Sequence, residues 1–412
     1  MDLLITNIWQ LVNTRSINAP LRGPALAELP ILDDAYLIVE NGRIAAFGPM
    51  AELHYKPDAF REHIDAAGGS VLPAWVDSHT HLVFAGSREA EFVDKIKGLS
   101  YADIAARGGG ILNSARKLNE TSEEELFRQS WGRLQEVMRL GTGTIEIKSG
   151  YGLTVEGELK MLRTARRLRE RSGIDIRTTF LGAHSFPPEY REDREGYIRL
   201  IIEVMLPRIA SERLADYIDV FCEEGFFTPD QTIRICTAGK QHGLVPRLHA
   251  NQLAVSGGVQ AGIEVDAISV DHLESMDDAA TTALAASDTI GTLLPTAAYF
   301  LRMPFQPARK LVDAGCAIAL ASDFNPGSSP SGNMNGVVSM ACIGMKLLPE
   351  EAINAATTNA ACALGLQHEV GSIAVGKKAH FILTKPIPSL AYLPYAFGSN
   401  LIQTVLLNGQ PI

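Results

Sequence analysis

The feature that most restricts the fold is a rhythm in the middle of the chain. Eight short apolar runs, at 71–78, 144–148, 177–184, 217–223, 245–249, 267–272, 289–295 and 317–323, each have the length of a strand buried on both faces. Helical patterns lie between most of them. The clearest spans 122–140. Thr121 and Ser122 are each followed three residues later by a glutamate, Glu124 and Glu125, which is a capping-box arrangement, and Gly141 closes the segment. Another runs from 155 to 171 and ends at Ser172-Gly173. Strands separated by helices pair in parallel, and eight such units over about 270 residues predict an α/β fold, a (β/α)8 TIM barrel. An open doubly wound sheet is the other arrangement, but nothing here resembles its glycine fingerprint.

The two ends differ from the middle. Residues 1–70 read as short strands, with 13–33 as a loop. The Asn41-Gly42 pair between 36–40 and 43–47 signals a hairpin, because it suits the positive φ values of a type I′ turn. Near the C-terminus, 372–375, 379–383 and 401–407 are strand-like, and Asn408-Gly409 is a second turn. We therefore expect a small β-sandwich domain built from both termini, 1–70 with 365–412, beside a catalytic barrel of 71–364.

Composition narrows the partners. The net charge of −10 argues against nucleic acid and anionic membranes, which select basic patches. The five cysteines, Cys222, Cys236, Cys316, Cys342 and Cys362, form no CxxC pair and mostly sit in apolar runs, as expected of buried thiols in a reducing compartment. The N-terminal segment has an acidic second residue and no basic region, so it reads as a strand rather than a signal peptide. No stretch has the length of uncharged apolar sequence that a membrane helix needs. A cytoplasmic enzyme with a small-molecule substrate is the expectation.

The chemistry gathers at strand ends. Of ten histidines, five end a predicted strand or follow one directly: His79, His81, His184, His249 and His272. Asp323 ends the eighth run. In a barrel these ends converge on the C-terminal face, where active sites form. One buried histidine is usually a satisfied core residue. Five with an aspartate at one end of a barrel would each need desolvation and a partner, which packing alone does not explain. His79 and His81 are two apart, so both side chains leave the strand on one side. Imidazole nitrogens with one carboxylate suit Zn²⁺ or Fe²⁺ with an open position for water.

At this point the chain resembles the amidohydrolase superfamily. The resemblance rests on VLPAWVDSHTH (71–81), the strand-end His249 and His272, and Ala321-Ser322-Asp323. Within the superfamily it is most similar to the branch that opens a propionate-bearing imidazolone ring. That similarity is carried by HTHLVFAGSREAEF (79–92), RGGGI (107–111), EIKSGYGL (146–153), FLGAH (180–184), LHANQL (248–253) and ASDFNPGSS (321–329). It covers essentially the whole chain. It implies metal ligands at His79, His81, His249 and Asp323, catalytic roles for Asp323 and His272, and a homodimer. The implied substrate is 4-imidazolone-5-propanoate, opened to N-formimidoyl-L-glutamate.

Two departures from relatives refine this. Binuclear members carry a carboxylated lysine at the fourth strand end, where this chain has Phe221-Cys222-Glu223-Glu224, so one metal, Zn²⁺ or Fe²⁺, is expected. Lys148 ends the second strand, the wrong place for that bridge. Deaminating members place a glutamate three residues after the fifth-strand histidine. Here it is Gln252, which can orient a substrate but cannot relay protons. Arg88 reads either as a solvated surface residue or as a fork on the substrate carboxylate. Tyr151 and His184 are expected to hold the ring with Gln252, although Tyr151 also reads as a plain turn residue; Asn325, Gly327 and Ser328 either touch substrate or product or serve turn chemistry alone. Glu223 and Glu224 could hold a histidine tautomer or merely cap a helix. A related aminohydrolase on another cyclic amidine, or a catalytically inactive barrel serving as a scaffold, are the competing readings.

Overall fold

The structure, a computed structural model, describes residues 2–99 and 109–412, so the first two residues of the 107–111 motif lie outside it. The N-terminal strands are β1 (Leu3–Val12), β2 (Ile31–Glu40), β3 (Arg43–Pro49), β4 (Glu62–Asp65) and β5 (Val71–Pro73). Then come β6 (Trp75–Asp77), β7 (Thr142–Lys148), β8 (Asp175–Ala183), β9 (Tyr217–Cys222), β10 (Val245–Ala250), β11 (Ser269–His272), β12 (Ile290–Leu293) and β13 (Ile318–Leu320). The C-terminal strands are β14 (Phe381–Thr384), β15 (Ile402–Leu407) and β16 (Gln410–Pro411).

Strands β6 to β13 pair in sequence order, every pair parallel, as the alternating pattern predicts. The barrel closes just beyond β6 and β13. Asp323 N donates to His79 O at 3.0 Å and His81 N to Phe324 O at 2.9 Å. Below them, the Asp77 carboxyl accepts Ser322 N at 2.9 Å and Ser322 Oγ at 2.5 Å. The largest apolar cluster fills the space between barrel and outer helices, from Phe180 and Ile218 to Leu248 and Val270.

Both termini contribute to a second sheet, as expected, with the order β16-β15-β14-β5-β1-β2-β3 and β4 beside β1. All eight strands belong to one sheet, which folds back on itself. Arg43, at the start of β3, bridges to Lys378, just before β14. Leu3, Ile5 and Leu37 thereby share a core with Phe381 and Leu383.

Four local readings need correction. The run 71–78 is not one strand. Val71–Pro73 pairs with β14 and β1, the chain crosses at Ala74, and the barrel begins at Trp75. Residues 372–375 make a single bridge, Ile373 to Thr14, because Gly371 and Gly376 turn the chain on either side with φ of 86° and 90°. β4 was not foreseen, since Glu62-His63-Ile64-Asp65 lacks an apolar pattern, and β2 begins inside the predicted 13–33 loop.

Half of the expected capping box forms: Ser122 caps the helix, while the Glu125 carboxylate turns to Arg128 and Gln129. The helix Glu123–Arg139 starts at Ser122, whose side chain accepts Glu125 N at 3.2 Å. A Ser122→Ala protein should lose about 0.5–2 kcal/mol of stability, read from the midpoint of a urea transition. An unchanged midpoint would mean the helix start is held by packing alone.

Candidate active site

His79 and His81 lie just past β6, with Thr80 between them turned the other way. Thr80 Oγ1 donates to Glu146 O at 2.6 Å, which pins the segment to β7. His249 is the fifth residue of β10, and Asp323 follows β13 with a left-handed φ of 51°. All four side chains are buried. His249 Nε2 and His81 Nε2 are 3.3 Å apart. Asp323 Oδ1 stands 3.6 Å from His79 Nε2 and 3.6 Å from His81 Nε2. Atoms of His272 also come within 4.8 Å of His79 and Asp323.

A second layer of charge fixes two of the rings. His79 Nδ1 lies 2.7 Å from Asp271 Oδ2, and His249 Nδ1 lies 3.0 Å from Asp219 Oδ2. A carboxylate can only accept, so each Nδ1 carries its proton and each Nε2 its lone pair. His79 Nε2 is buried and has no hydrogen-bond partner among the described residues. Burial holds the His79 and His81 rings well below the ordinary imidazole range, and burial also lowers His249. Neutral imidazoles with lone pairs facing one point, and a carboxylate beside them, form a donor set that fits a divalent cation.

Beneath the histidines lies a charged layer whose role the sequence reading missed. Lys148 Nζ is 2.9 Å from both Glu146 Oε1 and Asp219 Oδ2. Arg247 reaches Asp271 Oδ2 at 3.2 Å and Ser78 O at 2.7 Å. A signal was present. Glu146, Lys148, Asp219 and Asp271 interrupt runs that are otherwise buried, and a buried charge requires a partner. Glu223 does not perform the tautomer role considered for it. Its carboxylate accepts Leu253 N at 2.9 Å and Glu224 N at 3.0 Å, holding the loop after β10.

A cavity of about 110 Å³ opens above the histidines. Tyr151, His184, Gln252, Asn325 and Ser328 line it together with His272 and Asp323. The His184 ring stacks on His81, centroids 5.2 Å apart. Burial pushes the Tyr151 hydroxyl well above its ordinary range and His184 down to about 3, so Tyr151 keeps its proton and His184 is neutral. Asn325 Oδ1 accepts Gly327 N and Ser328 N, both at 2.8 Å, and Ser328 Oγ is 3.3 Å from Asp323 Oδ2.

Arg88 is placed differently. It borders a neighbouring, largely apolar cavity of about 680 Å³ with Phe84 and Phe324. Its Nε and Nη2 donate to Glu91 Oε2 at 2.9 and 2.6 Å. Its Nη1 lies against Gly327, where an added Cβ would sit 2.3 Å away. The guanidinium therefore packs on the loop that carries Asn325 and Ser328, and a side chain at 327 would displace it.

The chain is 56% identical to the imidazolonepropionase of Flavobacterium johnsoniae over 100% of both chains. It is 53% identical to that of Christiangramia forsetii, again over 100% of both. The chain belongs to the imidazolonepropionase family. Residues 233–412 also match the model of the Amidohydrolase family. Among solved structures, an adenosine deaminase from Xanthomonas campestris with bound zinc is similar in fold, with TM-score 0.69 and 18% identity, covering 100% of this chain and 92% of that one. Membership of the family and the buried histidine set together make this a divalent-metal site. The same membership accounts for a barrel whose polar groups cluster at the C-terminal ends of its strands.

Proposed function

We propose that the protein is an imidazolonepropionase, hydrolysing the ring amide C–N bond of 4-imidazolone-5-propanoate to N-formimidoyl-L-glutamate. One observation supports this above the others: a neutral histidine set with Asp323 at the floor of a cavity walled by neutral hydrogen-bonding groups, with Gln252 where a deaminase carries an acid. We assign catalysis to 71–364 and take 1–70 with 365–412 as the companion β unit. No helix of the described residues is long and apolar enough to cross a membrane. A cytoplasmic homodimer is our reading of its setting.

His79, His81, His249 and Asp323 would hold one divalent ion, Zn²⁺ or Fe²⁺. Such an ion supplies Lewis acidity, which can lower the pKa of a bound water from 15.7 to about 7. Asp323 takes the proton of the attacking water. The water oxygen bonds to the ring carbonyl carbon, the C–N bond breaks, and Asp323 returns the proton to the leaving nitrogen. His272, set at φ 90° at the end of β11, faces the same space and orients the water or polarises the carbonyl. Tyr151, His184 and Gln252 hold the ring. Asn325, Gly327 and Ser328 meet substrate or product, and Arg88 anchors the propionate, exchanging part of its pairing with Glu91 for the substrate carboxylate.

Incubation with 4-imidazolone-5-propanoate tests the reading. Loss of the imidazolone absorbance without ammonia is expected. Ammonia release would point to an aminohydrolase, and no reaction by metal-replete protein would overturn the assignment. Two variants separate the roles. Arg88→Ala should lose about 10²-fold in kcat/KM through misplacement of the substrate, with metal content unchanged. Wild-type KM in that variant would remove Arg88 as anchor. Asp219→Asn, which no longer fixes the His249 tautomer, should weaken metal binding by about 10–100-fold in a chelator competition. Undiminished affinity would leave Asp219 a purely structural partner of Lys148.

A further inference from the structure

The loop that carries Tyr151 is gripped from one side by a single buried carboxylate. Glu158 belongs to the helix Val155–Ser172 and is fully buried. Its Oε1 accepts Gly152 N and Leu153 N, both at 2.8 Å, and its Oε2 accepts Gly150 N at 2.9 Å. Asn119, from the helix Ile111–Glu120, adds a second side-chain bond: its Nδ2 donates to Gly152 O at 2.8 Å. The loop needs such a grip, because Leu153 is held at φ 51° and Gly150 at φ 111°. A left-handed leucine persists only where its surroundings over-determine it. Gly152 also lies so close to the helix start that an added Cβ would stand 2.3 Å from Glu158 N.

The same loop reaches His184. The Gly150 carbonyl is 3.0 Å from His184 Nδ1. A carbonyl can only accept, so Nδ1 carries the proton and Nε2 the lone pair. Tyr151, one residue on, has its ring 5.5 Å from that of His184. One carboxylate thus controls two walls of the cavity.

We propose that Glu158 is a positioning residue of the substrate cavity: it fixes the backbone at 150–153, and through the Gly150 carbonyl it sets His184 as the Nδ1–H tautomer. His184 then meets the substrate as a hydrogen-bond acceptor and selects a ring that offers an N–H. Tyr151 supplies the complementary donor. This rests on the functional reading above for the identity of the ring, but the tautomer does not.

Glu158→Gln is the direct test. The amide is nearly isosteric, but its NH₂ sets a donor against a backbone donor where Oε1 or Oε2 now accepts. The zinc-loaded protein, with ¹⁵N-labelled histidine and a His184→Gln control for assignment, reports the tautomer without turnover. The wild-type protein should show His184 protonated at Nδ1. Glu158→Gln should shift that resonance, keep its metal, and lose about 10²-fold in kcat/KM for 4-imidazolone-5-propanoate, the loss carried by KM. A wild-type His184 protonated at Nε2 would overturn the proposal, and so would a Glu158→Gln enzyme with wild-type KM and an unshifted His184. Should that variant not fold, Asn119→Ala removes the loop's other side-chain bond, and an unchanged KM there overturns the proposal as well. If the wild-type protein does not open the imidazolone, the functional reading fails alone, because the tautomer measurement still stands.

Discussion

An Asp323→Asn enzyme is expected to turn over about 10²–10⁴-fold more slowly than its parent, the range a positioned proton carrier contributes. The carboxyl is buried, with Oδ1 3.6 Å from two histidine nitrogens and Oδ2 3.3 Å from Ser328 Oγ. Burial pushes it up to about 7, while the neighbouring His272 ring pulls the other way. Asparagine preserves shape and one oxygen donor but cannot accept a proton from water. Measuring kcat and metal content on the same preparation separates the two roles assigned to Asp323. A wild-type kcat at full occupancy would take it out of the proton path. Loss of metal without a further fall in kcat per metal would make it a ligand only.

The second large effect is on stability. Lys148→Met should destabilise the folded protein by about 3–5 kcal/mol, the usual result of removing one partner from a buried ion cluster. The Lys148 side chain has no solvent exposure and two carboxylate oxygens at 2.9 Å. Burial works against its charge, but Asp219 and Glu146 more than compensate and hold the ammonium above its ordinary range. Methionine fills similar space and leaves Glu146 and Asp219 facing each other in the barrel interior. Equilibrium unfolding in urea reads the loss. A shift below about 1 kcal/mol would mean that Arg247 alone neutralises the cluster. Metal affinity should fall too, because Asp219 and Asp271, which fix His249 and His79, both depend on this cation.

The barrel was legible because its strands are buried on both faces and so appear as short, mostly apolar runs at regular intervals. Which side chains converge was legible for a related reason: His79, His81, His184, His249, His272 and Asp323 all stand at strand ends, and a barrel brings such ends together. The supporting layer was hidden by the same reading. Asp219 and Asp271 sit inside runs, where a pattern of apolar residues treats a charge as an interruption rather than an inward-facing group. The partner of Arg88 was hidden by its brevity, since Glu91 is three residues on in a new helix and nothing marks the pair before the helix is placed. The terminal sheet was legible at its Asn-Gly turns and not at β4, a polar strand whose only reason to be extended is the β1 edge it pairs with. The crossing at Ala74 was invisible because Val71–Pro73 and Trp75–Asp77 read as one buried run although they join different sheets.

The barrel's seam gives the proposed ligand set a second meaning. His79 and His81 hang from one lip of that join and Asp323 from the other, and the backbone bonds that shut it run between the same residues. An ion gripped by all of them would work as a clasp. Its binding free energy would then also be free energy of barrel closure. Starvation for metal would cost such a protein more than its chemistry: the fastening itself loosens, starting at the mouth where substrate enters.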